Sequence, residues 1–112
     1  MRPRLALLVL CLAVTACTEK EVEDLVERLK TRDAEELRQV TSKLVRLPNA
    51  LVVPALRKGL HAGKWRTRYG SAKLLGWFHA QEAIPELIDA LDDSIGGVKV
   101  QAAGALGALQ AQ

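Results

Sequence analysis

A spacing of 31 residues governs this chain. It separates Pro54 from Pro85, Leu56 from Leu87, Leu60 from Leu91, Leu75 from Leu106 and Gly76 from Gly107. Two longer segments, 67–76 and 98–107, follow one design, with small residues in the middle and Leu-Gly or its like at the end. Self-similarity at a period of about 20–50 residues marks units that cannot bury their own apolar face and therefore stack on one another. The fold is thus constrained before any single element is read.

Within that frame the apolar positions recur at helical spacing. Val22, Leu25, Val26 and Leu29 share one face, and Thr18-Glu19-Lys20-Glu21 has the form of a capping box, which predicts a first helix to about Lys30. Asp33, with Glu36 three residues on, is the next N-cap. Leu37, Val40, Thr41 and Leu44 then carry a second helix to Leu47, ended by Pro48. Asn49 is the expected cap of a third helix, and Pro54 and Pro85 are expected near the starts of the third and fifth, where a missing amide costs little. A fourth helix is predicted over about 64–78 and a sixth over about 98–109, the latter after a break at Gly96-Gly97. Glycine inside a helix costs about 1 kcal/mol relative to alanine. The small residues Gly70, Ser71, Ala72 and Ala102, Ala103, Gly104 therefore point to close helix–helix approach. The expected fold is all-α: a short right-handed α-solenoid of about three helical hairpins behind an N-terminal signal helix.

The patterns Ile84-Pro85-Glu86-Leu87 through Asp92, then Val98-Lys99 through Gly107, resemble HEAT-like repeats of the phycobilisome-lyase type. Val53-Pro54-Ala55-Leu56 through Leu60, then Thr67-Arg68 through Gly76, is a second copy. The segment from Leu25 to Leu47 reads as a degenerate first copy, with Leu37-Arg38 and Leu44-Val45 in register after a one-residue loop insertion. The resemblance spans most of residues 22–109, with approximate repeats 19–47, 49–78 and 81–110. It implies a fold common among binding and scaffold proteins, and a fold alone says little about function. It also implies that Arg38, Arg68 and Lys99, at the starts of the second helices, form a structural ladder with acids such as Asp92. His61 stands where the third repeat has Asp92, so Arg68 is expected to lack a local acid.

The N-terminus carries a different signal. Met1-Arg2-Pro3-Arg4 is basic and residues 5–14 are apolar, a run shorter than the roughly 20 residues a bilayer span takes. Val14-Thr15-Ala16-Cys17 then resembles the lipobox of bacterial lipoproteins. The resemblance implies a signal peptide over 1–16, a lipidated Cys17 and a mature domain over 17–112. It also implies an envelope location, with the outer membrane favoured because Thr18 rather than Asp follows the cysteine. An ordinary secretory signal cut after Ala16 is the alternative. Cys11 lies in the apolar run, and two cysteines six apart offer no disulfide framework.

Charge is unevenly distributed. From Glu19 to Glu36 there are eight acids and four bases, from Leu37 to Gln81 nine bases and no acid, and from Glu82 onward five acids and one base. In a stacked fold, Arg38, Arg57, Lys58, Lys64, Arg66, Arg68 and Lys73 would line a basic surface for an acidic protein, anionic lipid headgroups or a polyanionic glycan. The alternative is that these bases pair with the acidic flanking repeats or are solvated. Nucleic acid fits an exported protein poorly. Trp65, Tyr69, Trp77 and Phe78 fall in one fourteen-residue window. Trp77 and Phe78 read as core, and Trp65 as either core or an exposed anchor.

No catalytic constellation is present. His61 and His79 lack ligand spacing, and there is no Ser-His-Asp set, phosphate loop or paired carboxylate. No cofactor or metal is expected. The last helix carries a single charge, Lys99, which predicts an exposed, mostly apolar end that docks on a partner or on itself through Leu106 and Leu109. The reading is a non-enzymatic, membrane-anchored adaptor that presents a helical surface to a protein partner. Its alternatives are capture of an anionic ligand by the basic repeat, or service to a bilin-lyase-like enzyme.

Overall fold

The computed structural model describes residues 19–110; the signal segment, Cys17 and the Thr18 capping box lie outside them. Every regular element among the described residues is helical. In order they are α1 (19–27), which tightens into a 3-10 turn at Arg28–Lys30, then α2 (Ala34–Val45), α3 (Asn49–Gly59) and α4 (Trp65–Trp77). A 3-10 turn at Gln81–Ala83 leads into α5 (Ile84–Ala90), and α6 (Gly96–Gln110) follows. α3 packs on α4, α5 on α6, and α4 runs along α6 across the repeat boundary. The architecture is an all-α solenoid of paired helices.

The core is a row of side chains, with Leu44, Leu56, Leu75, Leu87 and Val98 each at 0% exposure, contributed by α2 to α6 in turn. Each such side chain taken fully out of water stabilises the fold by about 1.5–3 kcal/mol. Small residues let the helices approach. A Cβ on Gly76 would lie 2.9 Å from the Ala105 Cα, so α4 and α6 meet backbone to backbone at that point. At Gly59 an added Cβ would collide with Ser71 Oγ, which sets the distance between α3 and α4.

Helix starts follow the expected chemistry in part. Asp33 caps α2, its carboxylate accepting from the Glu35 and Glu36 amides at 2.9 and 3.4 Å. Asn49, however, is the first residue of α3 and Pro48 occupies the cap, so Pro54 falls inside the helix rather than near its start. Its missing donor leaves the carbonyl one turn back, on exposed Ala50, to water. Pro85, by contrast, sits in the first turn of α5. Gly96 and Gly97 do not break the chain but open α6, with the Tyr69 ring beside Gly97. α4 ends with His79 at φ 53°, the Ala80 amide donating to the Leu75 carbonyl and the His79 amide to Gly76. This is a Schellman cap with histidine in the place glycine usually takes.

The caps also fix the repeat register. Asp33 and Lys64 precede α2 and α4 and are 31 residues apart, so the first repeat keeps the same period as the others and contains no loop insertion. Leu37, not Arg38, is therefore the counterpart of Arg68 and Lys99, and Val45 is the counterpart of Gly76. That second exchange has a structural consequence. Where Gly76 admits α6, Val45 carries a side chain, and the backbones of α2 and α4 stay apart.

Candidate functional site

The separation of α2 from α4 leaves a groove. Its deeper part, about 430 Å3, has Leu29, Gly70 and Leu74 at its base, Leu37 and Thr41 on one wall and Trp65 and Tyr69 on the other. It continues past Thr41, Lys73 and Leu74, which line both stretches, into a second part of about 710 Å3 bounded by Trp77, His79 and Gln101. The groove thus follows α4 from its first residue to its last.

Its shape traces to the sequence. Leu29, from the 3-10 turn, lies against Gly70 and closes the bottom. Trp65 and Tyr69, one turn apart on α4, meet edge to face with centroids 6.2 Å apart, and the Tyr69 hydroxyl accepts from the Gln101 amide at 3.1 Å. Arg66 lies 4.6 Å over the Trp65 ring. Leu37, at 37% exposure, faces this groove from the position where the other repeats place a base.

The bases expected to line one surface fall into two sets. Arg68 is held inside. It donates to both Asp93 oxygens at 2.7 and 3.1 Å, and to the Ala62 and Gly63 carbonyls at 2.9 and 3.2 Å. Its acid is Asp93 of the following repeat; as expected, no acid at the end of its own preceding helix, where His61 stands, serves it. Arg57 binds Glu86 at 2.5 and 3.0 Å, and Lys58 binds Glu23 at 3.0 Å. Arg38, outside the ladder register, pairs with Glu35 on its own helix. Lys64, Arg66 and Lys73 make no ion pair among the described residues.

Two of these acids have shifted titration. The Arg68 hydrogen bonds, opposed by burial and aided by the Ile95 amide, hold Asp93 below its ordinary value. The Arg57 hydrogen bond does the same for Glu86, again against burial.

The family profile of HEAT repeats matches residues 22–107. The chain belongs to the HEAT-repeat family. No curated protein matches it. In this HEAT stack the cross-repeat pairs Arg68–Asp93 and Arg57–Glu86 tie the second unit to the third, and Lys58–Glu23 ties it to the first. No helix among the described residues is long and apolar enough to cross a membrane.

Several groove residues were not singled out by sequence. Leu37 was read as buried, yet it is exposed. Trp77 was expected in the core and is 59% exposed; the adjacent Phe78, at 8%, turns inward instead and meets Trp77 edge to face at 5.1 Å. Trp65 is exposed, at 38%. At the other end, Leu109 is 3% exposed and faces the core, with the Gln81 amide donating to its carbonyl at 3.2 Å. It therefore cannot anchor self-association. The exposed apolar residue of α6 is Val100, at 66%. A signal for the groove did exist, in the departures from the repeat: Leu for a base at 37, and Val for Gly at 45.

Proposed function

We propose that this chain is a non-enzymatic envelope lipoprotein that serves as an adaptor, docking a protein partner in the groove along α4. HEAT repeats are commonly protein-interaction scaffolds, and the match over residues 22–107 supports that general role. One observation carries the particular reading: Leu37, Trp65 and Trp77 stand exposed in a row along one continuous groove. Large apolar side chains left in water at a concave surface are characteristic of partner sites, and tryptophan is enriched among the residues that dominate binding energy. The anchor rests on the basic start, the apolar run and Val14-Thr15-Ala16-Cys17. Acyl chains on Cys17 would hold the chain at a bilayer by about 0.8 kcal/mol per buried methylene.

Two experiments test this. Growth with an alkyne-tagged palmitate is expected to label the wild-type chain and not Cys17→Ser. A photo-reactive residue placed at Leu37 is expected to crosslink a discrete protein in intact cells, whereas one at exposed Glu82, which lines neither stretch of the groove, is not. Equal crosslinking from both positions would remove the groove from the argument.

A further inference from the structure

The groove is apolar within and cationic at its edge. Arg66 and Lys73 border its deep part, and the cleft that opens beside Trp65 adds Arg32 and Lys64. No carboxylate lines either stretch of the groove. These four bases make no ion pair among the described residues, while Arg57, Lys58 and Arg68 are each matched to an acid of a neighbouring repeat. Four unmatched cations thus gather beside the exposed apolar side chains of the groove. Cations grouped around a low-dielectric surface raise the local concentration of anionic partners and select against cationic ones.

Both features constrain the occupant. A simple anion would leave Leu37, Trp65 and Trp77 in water, and an uncharged apolar segment would leave the edge unmatched. The groove follows the thirteen residues of α4, a length of about 18 Å at helical rise, which suits a helix of about three turns with anchors at i, i+3, i+4 and i+7. We infer that the groove receives an acidic amphipathic helix of a partner protein, its apolar stripe on Leu37, Trp65 and Trp77 and its carboxylates against Arg66 and Lys73. The inference rests on the docking function proposed above and adds the partner's charge and shape.

The probe is a fluorescein-labelled synthetic helix with Leu and Phe at i, i+3, i+4 and i+7 and Glu at the flanking positions. It is titrated into the purified full chain by anisotropy, beside peptides with the same stripe and Gln or Lys flanks. The Glu-flanked peptide is expected to bind roughly tenfold tighter than the Gln-flanked one, as two exposed pairs allow. The Lys-flanked peptide should bind most weakly. Arg66→Glu with Lys73→Glu, with helical content checked by circular dichroism, should reverse the order. Equal binding of the Glu- and Gln-flanked peptides, or an order unmoved by the double reversal, overturns the acidic partner and leaves groove docking standing. Failure of all three peptides overturns both. If the chain then adheres to phosphatidylglycerol vesicles and not to phosphatidylcholine ones, the cations belong to a lipid surface instead.

Discussion

Replacing Arg68 with methionine is expected to lower the unfolding free energy by about 3 kcal/mol. The guanidinium makes two bonds to Asp93 and two to main-chain carbonyls, and the paired side chains are only 16% and 10% exposed. Methionine keeps much of the apolar stem but strands Asp93, whose remaining partner is the Ile95 amide at 2.9 Å. Removing one member of a buried pair costs about 3–5 kcal/mol, and the residual exposure here puts the loss at the lower end. For a domain of this size 1 kcal/mol moves Tm by about 4–8 °C, so a fall of about 12 °C or more is expected in thermal unfolding followed by circular dichroism. Arg38→Met is the internal control. That pair is 78% and 58% exposed, and its loss should cost under about 0.5 kcal/mol. The pH dependence has a definite sign. Arg68 depresses the folded-state pKa of Asp93, so the pair's contribution is full above the unfolded-state aspartate value, near 4 by ordinary chemistry. It is lost as pH falls through the depressed folded value. The gap between wild type and Arg68→Met should accordingly be widest at neutral pH and narrow in acid. A loss below about 1 kcal/mol at neutral pH, or a gap that stays constant into acid, would refute the claim that this ion pair locks the second repeat to the third.

Four other substitutions probe the packing. His79→Gly should raise stability by about 1 kcal/mol in urea unfolding, because glycine takes the φ of 53° without the strain of a side chain. Gly76→Ala should cost about 1–3 kcal/mol, since the new Cβ meets Ala105 main chain that cannot swing aside as a side chain would. Leu109→Glu should cost at least about 3 kcal/mol by chemical denaturation, whereas Leu106→Glu, partly exposed, should cost clearly less; equal losses would contradict the orientation of α6.

The fold was legible because its evidence is periodic. Leu56 and Leu87, and likewise Leu44 and Leu75, stand 31 residues apart, and each is fully buried. Helix boundaries were less so, because a boundary depends on a single residue's backbone. Asn49 carries the right side chain for a cap, but Pro48, fixed in an extended conformation at φ −61° and ψ 141°, takes the place first. Trp77 and Phe78 show another limit. Both are apolar and adjacent, and helical rotation sends one inward and the other out, a choice set by where Leu74 and Leu75 already point.

The basic block was the hardest feature to read, and the reason is geometric. Along the sequence, residues 37–81 lack acids, yet in a stacked repeat the neighbours of a residue lie about one period away. Arg57 meets Glu86 at a separation of 29 residues, Arg68 meets Asp93 at 25 and Lys58 meets Glu23 at 35. Offsets near 31 in both directions lead from the basic middle to the acidic flanks, so the minus–plus–minus order is the linear image of repeats held together by charge. Subtracting those pairs, and Arg38 with Glu35 on its own helix, leaves Lys64, Arg66 and Lys73 of the seven bases unmatched. They gather where Val45 in place of Gly76 keeps α2 off α4 and where Leu37 replaces a ladder base. The groove exists because the first repeat departs from the pattern, and its charge remains because no carboxylate lines it.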